Sequence, residues 1–479
     1  MAPAGGKASP RAKGKRPAIE NDGSISPPSL KRKAQSAISS ASHLSISGRT
    51  CLTPAIIESA VASFFTPASQ KPKDRTTWNE RSPNDKTPAT LLVAKYLPEK
   101  TDDTQPRPTK HKIAAFDLDA TLIKTASGKV HASDAADWQW WHPSVPDRLK
   151  QLHGEGYHVV VFTNQGGLTL HAPPKSNPPK ALKNRVAEFK QKCSVVLSRL
   201  DIPITLYAAT AKDIFRKPRI GMWIELKDDY DLTDGDVDHE NSIFVGDAGG
   251  RLAVTSDAAS RKDFSCSDRN LAHNIGIPFQ TPEEFFLGEQ ARGFVRDFDV
   301  AAFPFPGGDH KPLFERRNPR DLVLLVGPPG AGKSTFFWKH LEPLGYTRIN
   351  QDTLKTKPKC FKVASELLEE GQSVAVDNTN PDPDVRAQWV ELARKFKVPV
   401  RCVWLKTPLQ LCEHNDAARS LNKPLNPEDR TILPRLAFTG FASRFKEPKL
   451  TEGFQDIVEV DFAFRGTKEE HDIWARYWV

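Results

Sequence analysis

The sequence feature that most narrows the possible folds is an apolar run that leads straight into a glycine-rich loop, DLVLLVGPPGAGKST, at residues 321–335. A strand followed by GxxxxGK[ST] is typical of a P-loop, whose backbone N–H groups wrap the phosphates of a nucleotide. The predicted nucleotide-binding residues are Gly327, Gly330, Gly332, Lys333, Ser334 and Thr335. This part of the chain is therefore predicted to be an α/β domain that binds ATP, with the Ser334 hydroxyl as a ligand of Mg²⁺.

The acceptor of the phosphoryl group must be bound by other residues. In YTRINQDTLK (346–355), Asp352 follows a short strand, where a carboxylate can accept the proton of an incoming hydroxyl. The run SVAVDNTNPD (373–382) is predicted to be a further strand that ends in polar side chains. In HNDAAR (414–419), Arg419 lies in a helical stretch, where small phosphotransferases carry a mobile lid. Together with the P-loop, these residues predict a kinase for a hydroxyl acceptor.

A second set of apolar runs lies upstream of the P-loop. KIAAFDLD (112–119), YHVVVFTNQ (157–165) and SIFVGDAGGR (242–251) each end in polar residues, and helical stretches such as 180–200 lie between them. This order is typical of a doubly wound parallel sheet, in which functional residues gather at the carboxyl ends of the strands. We therefore expect the polar ends of the three runs to meet.

The residues at these strand ends predict a site for phosphate and magnesium. Asp117 and Asp119 follow the first run, Thr163 the second and Asp247 the third, and Lys217 lies in FRKPRIGMW. A carboxylate that attacks phosphorus forms an aspartyl-phosphate, and a divalent cation is needed to neutralise the approaching anion. A second carboxylate two residues on can protonate the leaving alkoxide and later deprotonate water.

FDLDATL resembles the DxDxT signature of the haloacid dehalogenase (HAD) superfamily of phosphatases. By this resemblance Asp117 is the nucleophile, Asp119 is the general acid and base, and Thr163 and Lys217 hold the phosphate. The predicted magnesium ligands of this site are Asp117, Asp119 and Asp247.

Three further residues of this site follow from the same resemblance. Arg216 assists Lys217, and Asp268 in DFSCSDR is a weaker candidate for a supporting acid. Ala120 stands where the superfamily usually has Gly, which makes the turn less free without touching the chemistry.

Both sets of motifs occur together, in this order, in the eukaryotic family of bifunctional polynucleotide kinase 3′-phosphatases, which the chain resembles. The resemblance runs over about 110–479 and is carried by FDLDATL, SGKV, EGY, FTNQ, FRKP, GMW, FVGDAGGR, DFSCSDR, TPEEFFLGE, GPPGAGKST, DNTNPD and EGF. It implies removal of a 3′-phosphate from DNA ends by one domain and ATP-dependent phosphorylation of a 5′-hydroxyl by the other, as in DNA repair. We expect a disordered basic tail (1–85), a HAD-type doubly wound phosphatase domain (86–302), a linker (303–320) and a P-loop α/β kinase domain (321–479).

The chain departs from the family pattern at three places. Animal members carry an N-terminal forkhead-associated domain, for which 1–85 is too short, so that this chain resembles a fungal or similarly reduced form. In the lid, animal members tend to have two Arg where this chain has Ala417 and Arg419, so Arg419 alone is the candidate. Gln351 precedes Asp352 where Arg is usual, which could change acceptor contacts without removing the base.

The composition favours an anionic partner. The 68 Lys and Arg exceed the 59 Asp and Glu, which gives a net charge of +9, and nucleic acid is the commonest anionic partner of a basic chain. Lys15–Arg16 and 31–33 form two basic clusters of the kind that direct proteins to the nucleus, although such clusters also occur as plain solvated charge. With no apolar run of membrane-spanning length and no CxxC spacing among six cysteines, we expect a nuclear protein without a membrane span, zinc site or disulfide framework.

One stretch of the tail has apolar residues at helical spacing, AIIESAVASFFTP (55–67). Glu58, Val61, Phe64 and Phe65 resemble the sliding-clamp-binding peptide of replication and repair proteins, with Glu58 where that peptide normally has Gln. An alternative of at least equal weight is a helix that docks on the protein's own surface, because so short a helix is marginal alone. We otherwise expect a monomer that acts on DNA ends.

Two other functions fit parts of the sequence. If the chain were a DNA-binding scaffold with vestigial catalytic motifs, at least one of Asp117, Lys333 and Asp352 would be lost. All three are present. A metabolite phosphatase fused to a metabolite kinase would not need the positive charge or the basic clusters. The sequence leaves open DNA against RNA, single against double strands, and the order of the two reactions.

Overall fold

The computed structural model describes residues 74–99, 109–171, 180–253, 262–296, 298–306 and 312–479, with the backbone alone for 180–183. The two basic clusters and the clamp-like stretch 55–67 lie outside these residues. These described residues form one compact unit, which contains two α/β sheets. We call residues 74–306 the N-terminal half and residues 312–479 the C-terminal half.

The N-terminal half is built on a seven-stranded sheet of order β1-β2-β7-β6-β3-β8-β9. Strands β7, β6, β3, β8 and β9 are parallel. On one side of the sheet β2 pairs antiparallel with β7, and β1 pairs antiparallel with β2 at the edge. The strands are β1 (Thr76–Arg81), β2 (Leu91–Tyr96), β3 (Lys112–Phe116), β4 (Ile123–Lys124), β5 (Gln139–Trp140), β6 (Tyr157–Asn164), β7 (Ile204–Ala209), β8 (Ile243–Val245) and β9 (Phe279–Gln280), of which β4 and β5 form a separate hairpin.

The helices of this half cover both faces of the sheet, which explains why its central strands read as continuous apolar runs. They are α1 (Val145–Gly154), α2 (Lys180–Leu200), α3 (Gly221–Asp229) and α4 (Ser267–Ile275). On α2 the buried side chains recur three or four residues apart, as a helix with one apolar face requires. They are Phe189, Cys193, Val196, Leu197 and Leu200.

The predicted tail is too long at its C-terminal end. The sequence assigns residues up to 85 to it, yet Thr76–Arg81 forms the edge strand β1, paired in register with β2. Arg81 fixes this strand by ion pairs to Glu225 and Asp229 on α3, both at 2.5 Å. Its sequence, TTWNER, has little apolar character because it covers an edge and is half exposed.

The C-terminal half is a five-stranded parallel sheet of order β11-β12-β10-β13-β14. Its strands are β10 (Leu322–Val326), β11 (Tyr346–Ile349), β12 (Ser373–Val376), β13 (Val400–Leu405) and β14 (Asp456–Val460). Its helices are α5 (Lys333–Phe336), α6 (Gln351–Leu354), α7 (Lys357–Glu369), α8 (Pro383–Lys395), α9 (Leu409–Leu421), α10 (Arg435–Arg444) and α11 (Lys468–Trp474). The two sheets confirm the predicted class, a doubly wound α/β domain followed by a P-loop α/β domain.

The predicted linker is partly built into the fold. Phe314 is buried against Phe336 and Tyr346, and Arg316 donates to the carbonyl of Leu344 at 2.7 Å. Phe314, from the range predicted as a linker, therefore belongs to the core of the C-terminal half. Among the helices of the described residues, none is long and apolar enough to cross a membrane.

Candidate active sites

The carboxyl ends of β6, β3 and β8 meet at one edge of the first sheet, and a cleft of about 1150 Å³ opens there. We call it the carboxylate cleft. All predicted residues of the first site line it, and Asp268 joins them. They are Asp117, Asp119, Thr163, Arg216, Lys217 and Asp247.

Lys217 holds the centre of the carboxylate cleft together. Its Nζ lies 2.5 Å from Asp117 Oδ1 and 2.8 Å from Asp268 Oδ1, and all three residues are buried. Burial alone would lower the pKa of Lys217, but the charges of Asp117 and Asp268 outweigh it and raise that pKa above its ordinary value. The lysine therefore stays protonated, and it can orient Asp117 and bind an anion at the same time.

The cleft gathers more negative charge than one lysine neutralises. Oxygen atoms of Asp117, Asp247 and Asp268 lie within 4.8 Å of one another. Burial raises the pKa of Asp117 to about 7, against the pull of Lys217, and burial with the charges of Asp117 and Asp268 raises the pKa of Asp247 to about 8. Three carboxylates that compete in this way fit Mg²⁺, which prefers oxygen ligands and adds the missing positive charge.

Gly246, at the end of β8, lets the cluster form. A Cβ built on it would lie 2.3 Å from Asp268 Oδ2 and 2.8 Å from Asp268 Cβ, so any side chain would displace the carboxylate. Asp268 in turn accepts the backbone N–H of Ala248 through Oδ2 at 3.0 Å. Gly246 of GDAGGR and Asp268 of DFSCSDR therefore form one arrangement, although they are far apart in the sequence.

Asp119 lies outside this cluster. Its side chain is 55% exposed, accepts from Gln165 Nε2 at 2.7 Å and faces Lys192 Nζ at 3.6 Å. Gln165 also donates to the Thr163 hydroxyl at 2.9 Å, so it ties two predicted site residues together. The carboxylates close enough together to share a cation are therefore those of Asp117, Asp247 and Asp268, and the predicted roles of Asp119 as a magnesium ligand and as the general acid and base stay predictions from the sequence.

Ala120 adopts a left-handed conformation with φ of 58°, which explains why glycine is usual at this position. Its N–H donates to the carbonyl of Ile123 at 2.8 Å and closes the turn after the two aspartates. A non-glycine residue at this φ accepts some backbone strain, which fits the less free turn expected from the sequence.

Basic side chains surround the carboxylates. Arg216 lines the carboxylate cleft, and burial lowers its pKa below the ordinary value for arginine. Further cations that line the cleft are Lys124, Lys129, Arg185, Lys192 and Lys212. A positive rim around an acidic floor fits a polyanionic substrate whose phosphate enters the floor.

The second site lies at the end of β10, and we call it the P-loop site. Lys333, at the start of α5, is buried and donates to the carbonyls of Gly327 at 2.9 Å and Pro328 at 2.7 Å. Burial lowers the pKa of Lys333 to about 8. Gly330 has φ of 76°, and a Cβ on it would lie 2.3 Å from the carbonyl oxygen of Cys412 on α9, so glycine is required there.

A chain of alternating charges leads away from Ser334. The Ser334 hydroxyl donates to Asp377 Oδ2 at 2.8 Å, and Arg348 lies 2.5 Å from the same carboxylate oxygen. Arg348 also contacts Glu428 at 2.6 Å, and Glu428 lies 2.6 Å from Arg430. The Ser334 and Asp377 oxygens fit Mg²⁺ beside the phosphates of ATP, as the hydroxyl and carboxylate of a P-loop site do.

This chain of charges ends at Asp352. Arg430 Nη1 lies 3.4 Å from Asp352 Oδ2, while the Asp352 side chain remains 77% exposed. Asp352 lies in the first turn of α6, which the side chain of Asn350 caps by accepting the N–H groups of Asp352 and Thr353. An exposed carboxylate at this place can accept the proton of a substrate hydroxyl that approaches from the solvent side.

Arg419 is close to the P-loop but contacts its own helix. Its Nη2 lies 2.5 Å from Asp416 Oδ1, and the other Asp416 oxygen accepts the N–H of Leu433 at 2.8 Å. This aspartate thus fixes the loop that follows α9, the loop that carries Arg430. The sequence predicts Arg419 as the sole lid arginine, and the structure adds Arg430 beside Asp352.

Sequence reasoning missed Arg348, Glu428 and Arg430 as members of the P-loop site. Arg348 stands in the strand of YTRINQDTLK, where a charged residue within four positions of Asp352 was a usable signal. Glu428 and Arg430 lie in PEDR, a loop whose position depends on the packing of α9, and no local pattern marks it.

Both halves of the chain are similar to known proteins. The polynucleotide kinase 3 phosphatase family matches residues 112–286, and the AAA domain family matches 322–359 and 355–448. A bifunctional polynucleotide phosphatase/kinase of Schizosaccharomyces pombe is 40% identical over 372 residues, which cover 77% of this chain and 83% of that protein. A polynucleotide 3′-phosphatase of Saccharomyces cerevisiae is 28% identical over 218 residues, covering 37% of this chain and 87% of that protein.

Proposed function

The chain belongs to the bifunctional polynucleotide phosphatase/kinase family, and we propose that it repairs DNA ends by removing 3′-phosphates in the carboxylate cleft and phosphorylating 5′-hydroxyls from ATP in the P-loop site. The observation that carries this proposal is the presence, in one compact unit, of a Lys217-centred cluster of carboxylates with a basic rim and of a P-loop linked to an exposed Asp352. Neither site alone would give both ligatable ends.

In the carboxylate cleft, Asp117 Oδ attacks the phosphorus, and the bond from phosphorus to the 3′-oxygen breaks. Asp119 donates its proton to the departing alkoxide and then takes a proton from the water that hydrolyses the aspartyl-phosphate. The Asp119 side chain is exposed, and among the described residues only Gln165 donates a hydrogen bond to it, at 2.7 Å. Both features support proton exchange with solvent. Lys217, Thr163 and Arg216 hold the phosphate oxygens.

In the P-loop site, the backbone of residues 327–335 binds the phosphates of ATP and Lys333 stabilises their charge. Asp352 accepts the proton of the 5′-hydroxyl as the hydroxyl oxygen attacks the γ-phosphorus of ATP. The bond from that phosphorus to the β–γ bridging oxygen breaks, and ADP leaves. Arg430, and Arg419 from the lid, stabilise charge on the transferring group.

The two sites each have residues suited to Mg²⁺. Asp117, Asp247 and Asp268 would hold it in the carboxylate cleft, and Ser334 and Asp377 in the P-loop site. When bound, the ion supplies charge neutralisation for the attacked phosphate.

The basic rim of the carboxylate cleft and the net charge of +9 support DNA as the substrate, and the predicted basic clusters support action in the nucleus. Binding of a sliding clamp through Glu58, Val61, Phe64 and Phe65, and a monomeric state, remain predictions from the sequence.

The decisive experiment uses a nicked duplex that carries a 3′-phosphate and a 5′-hydroxyl. Purified full-length protein should release the 3′-phosphate with Mg²⁺ alone, and it should phosphorylate the 5′-hydroxyl when ATP is also present. Nucleoside monophosphates and nucleosides should be poor substrates at the same concentrations. Preference for those small substrates over the nick would favour the metabolite phosphatase and kinase instead.

A further inference from the structure

The loop that carries Lys217 is held by a segment from the far end of the chain. Residues 216–219 of FRKPR line the carboxylate cleft, and Trp478 and Val479 also line it. These last residues follow α11 of the C-terminal half, so a segment from that half reaches the chemistry of the other.

Asn274, at the end of α4, joins the two segments. Its Nδ2 donates to the carbonyl of Pro218 at 2.8 Å, next to Lys217, and to the carbonyl of Tyr477 at 2.8 Å. Its Oδ1 accepts the N–H of Tyr477 at 2.8 Å. One side chain therefore ties the backbone behind Lys217 to the backbone of residue 477.

Arg219 makes a second, independent connection. Its Nε donates to the carbonyl of Trp478 at 3.0 Å, and its Nη1 donates to the carbonyl of Asp213 at 2.7 Å. The guanidinium is buried, and burial lowers its pKa to about 10, which leaves it charged at neutral pH. A buried arginine whose donors go to backbone carbonyls fixes those backbones strongly, because leaving either group unpaired is costly.

The segment itself is anchored at both residues. Tyr477 is 1% exposed, and its hydroxyl donates to Asp299 Oδ1 at 3.1 Å. Trp478 packs in the apolar cluster of α9 and α11, and its Nε1 donates to the carbonyl of Ile473 at 3.0 Å. The segment is therefore a firm support rather than a loose end laid across the cleft.

We propose that Tyr477 and Trp478 of the C-terminal half position the Lys217 loop through Asn274 and Arg219, so that 3′-phosphate removal depends on the half that carries the kinase. Asn274 and Arg219 are positioning residues, since they act through the placement of Lys217 and Arg216. The inference rests on the proposed role of Lys217 in phosphate binding.

The test uses the full-length protein with Asn274→Ala, which breaks all three Asn274 contacts. We expect the KM of the phosphatase reaction and the inhibition constant of inorganic phosphate to rise together by about tenfold, the loss of roughly one well-formed contact to the phosphate. The efficiency of the kinase reaction, its kcat/KM, should stay within about twofold of the parent. The inhibition constant measures how tightly the folded protein binds phosphate and does not depend on how much protein is folded. A general loss of folded protein would therefore not produce this pattern.

Asn318→Ala is the matched control. Asn318 is similarly half-buried and donates to Asp321 at 2.9 Å and to Gln455 at 2.8 Å, and none of these three residues is part of either site. It should change thermal stability without changing the inhibition constant of phosphate. Arg219→Lys, which keeps the charge but loses the two-armed contact, should raise that constant less than Arg219→Ala does.

Two results would overturn the inference. One is an Asn274→Ala protein whose phosphate inhibition constant and phosphatase KM equal those of the parent. The other is an equal loss of both activities, with the inhibition constant unchanged in the protein that remains folded. A Lys217→Ala protein that keeps full phosphatase activity would instead overturn the assignment of the site, and this inference with it.

Discussion

The carboxylate cleft and the P-loop site treat their acidic residues differently. In the cleft, buried carboxylates crowd around one lysine, and the pKa of Asp117 rises to about 7. In the P-loop site, acidic residues alternate with Arg348 and Arg430, and the proposed base, Asp352, is largely exposed. If Asp117 is the nucleophile, as proposed, its excess negative charge needs a cation to offset it. If Asp352 is the base that accepts the proton of a DNA end, its exposure leaves room for that end. The following predictions test that contrast.

The largest effect is expected from Asp117→Asn. This change keeps the size of the side chain but removes the attacking oxygen anion, so release of 3′-phosphate should fall by at least about a thousandfold. The measurement is phosphate release from a 3′-phosphorylated oligonucleotide under single-turnover conditions. Phosphorylation of 5′-hydroxyl ends in the same preparation serves as the control for folding, and near-parental 3′ release would mean that another group is the nucleophile.

Asp352→Asn should give the next largest loss, in the other site. Removing the proton acceptor should lower 5′-phosphorylation by about a hundred- to a thousandfold. ATP should bind with unchanged affinity, as measured by calorimetry, because Asp352 contacts Arg430 rather than the P-loop. Parental transfer by this variant would show that another residue serves as the base.

Arg430→Ala should have a moderate effect on the same reaction. If Arg430 stabilises the transferring phosphate and orients Asp352, the turnover rate of the kinase reaction should fall by about ten- to a hundredfold. Arg430→Lys should recover part of that loss, because a lysine can supply the charge without the second contact to Glu428. Arg444→Ala offers a control on an exposed arginine of α10, and equal losses in both proteins would indicate a general effect of charge on DNA binding.

The smallest effect concerns magnesium and pH. The pKa of Asp117 is raised to about 7 and that of Asp247 to about 8, from an ordinary 3.8. In metal-free protein, the folded state thus keeps protons that the unfolded chain releases, so this stabilising contribution is present below pH 3.8 and is lost as the pH rises through 7 and 8. The increase in Tm on adding Mg²⁺ should be about 2–4 °C larger at pH 8 than at pH 6, because the cation competes with those protons.

Differential scanning calorimetry without ATP would measure this difference. Asp247→Asn removes one of the two carboxyls whose pKa is raised, so it should reduce the pH dependence of the magnesium effect. Equal increases in Tm at both pH values in the parent would contradict the electrostatic description of the carboxylate cleft.

Much of this arrangement follows from local sequence. Asp117, Asp247 and Lys333 each stand within a few residues of a buried strand, and the ends of parallel strands meet by the geometry of the sheet. The positions of α2 and α9 also follow from their sequence patterns. These features depend on the spacing of apolar residues and on short loops, and both can be seen in a single sequence.

The remaining features depend on long-range packing. Asp268 joins Asp117 and Asp247 because α4 begins against Gly246, which has no side chain. Arg430 reaches Asp352 because Asp416 holds the loop that carries Arg430. β1 was missed because an edge strand needs apolar residues on one face at most. In each case the pattern that specifies the contact lies on two segments far apart in the chain, so neither segment reveals it alone.

Gly246 also bears on how this protein tolerates random mutation. Adding a single methyl group there would push against both the carboxylate and the Cβ of Asp268, while the P-loop site lies on a different sheet. A glycine-to-alanine change, among the mildest in a genetic screen, would therefore act as a separation-of-function allele. Cells that carry it would accumulate breaks blocked by 3′-phosphates and still process 5′-hydroxyl ends, so each lesion could be assigned to one half of the enzyme.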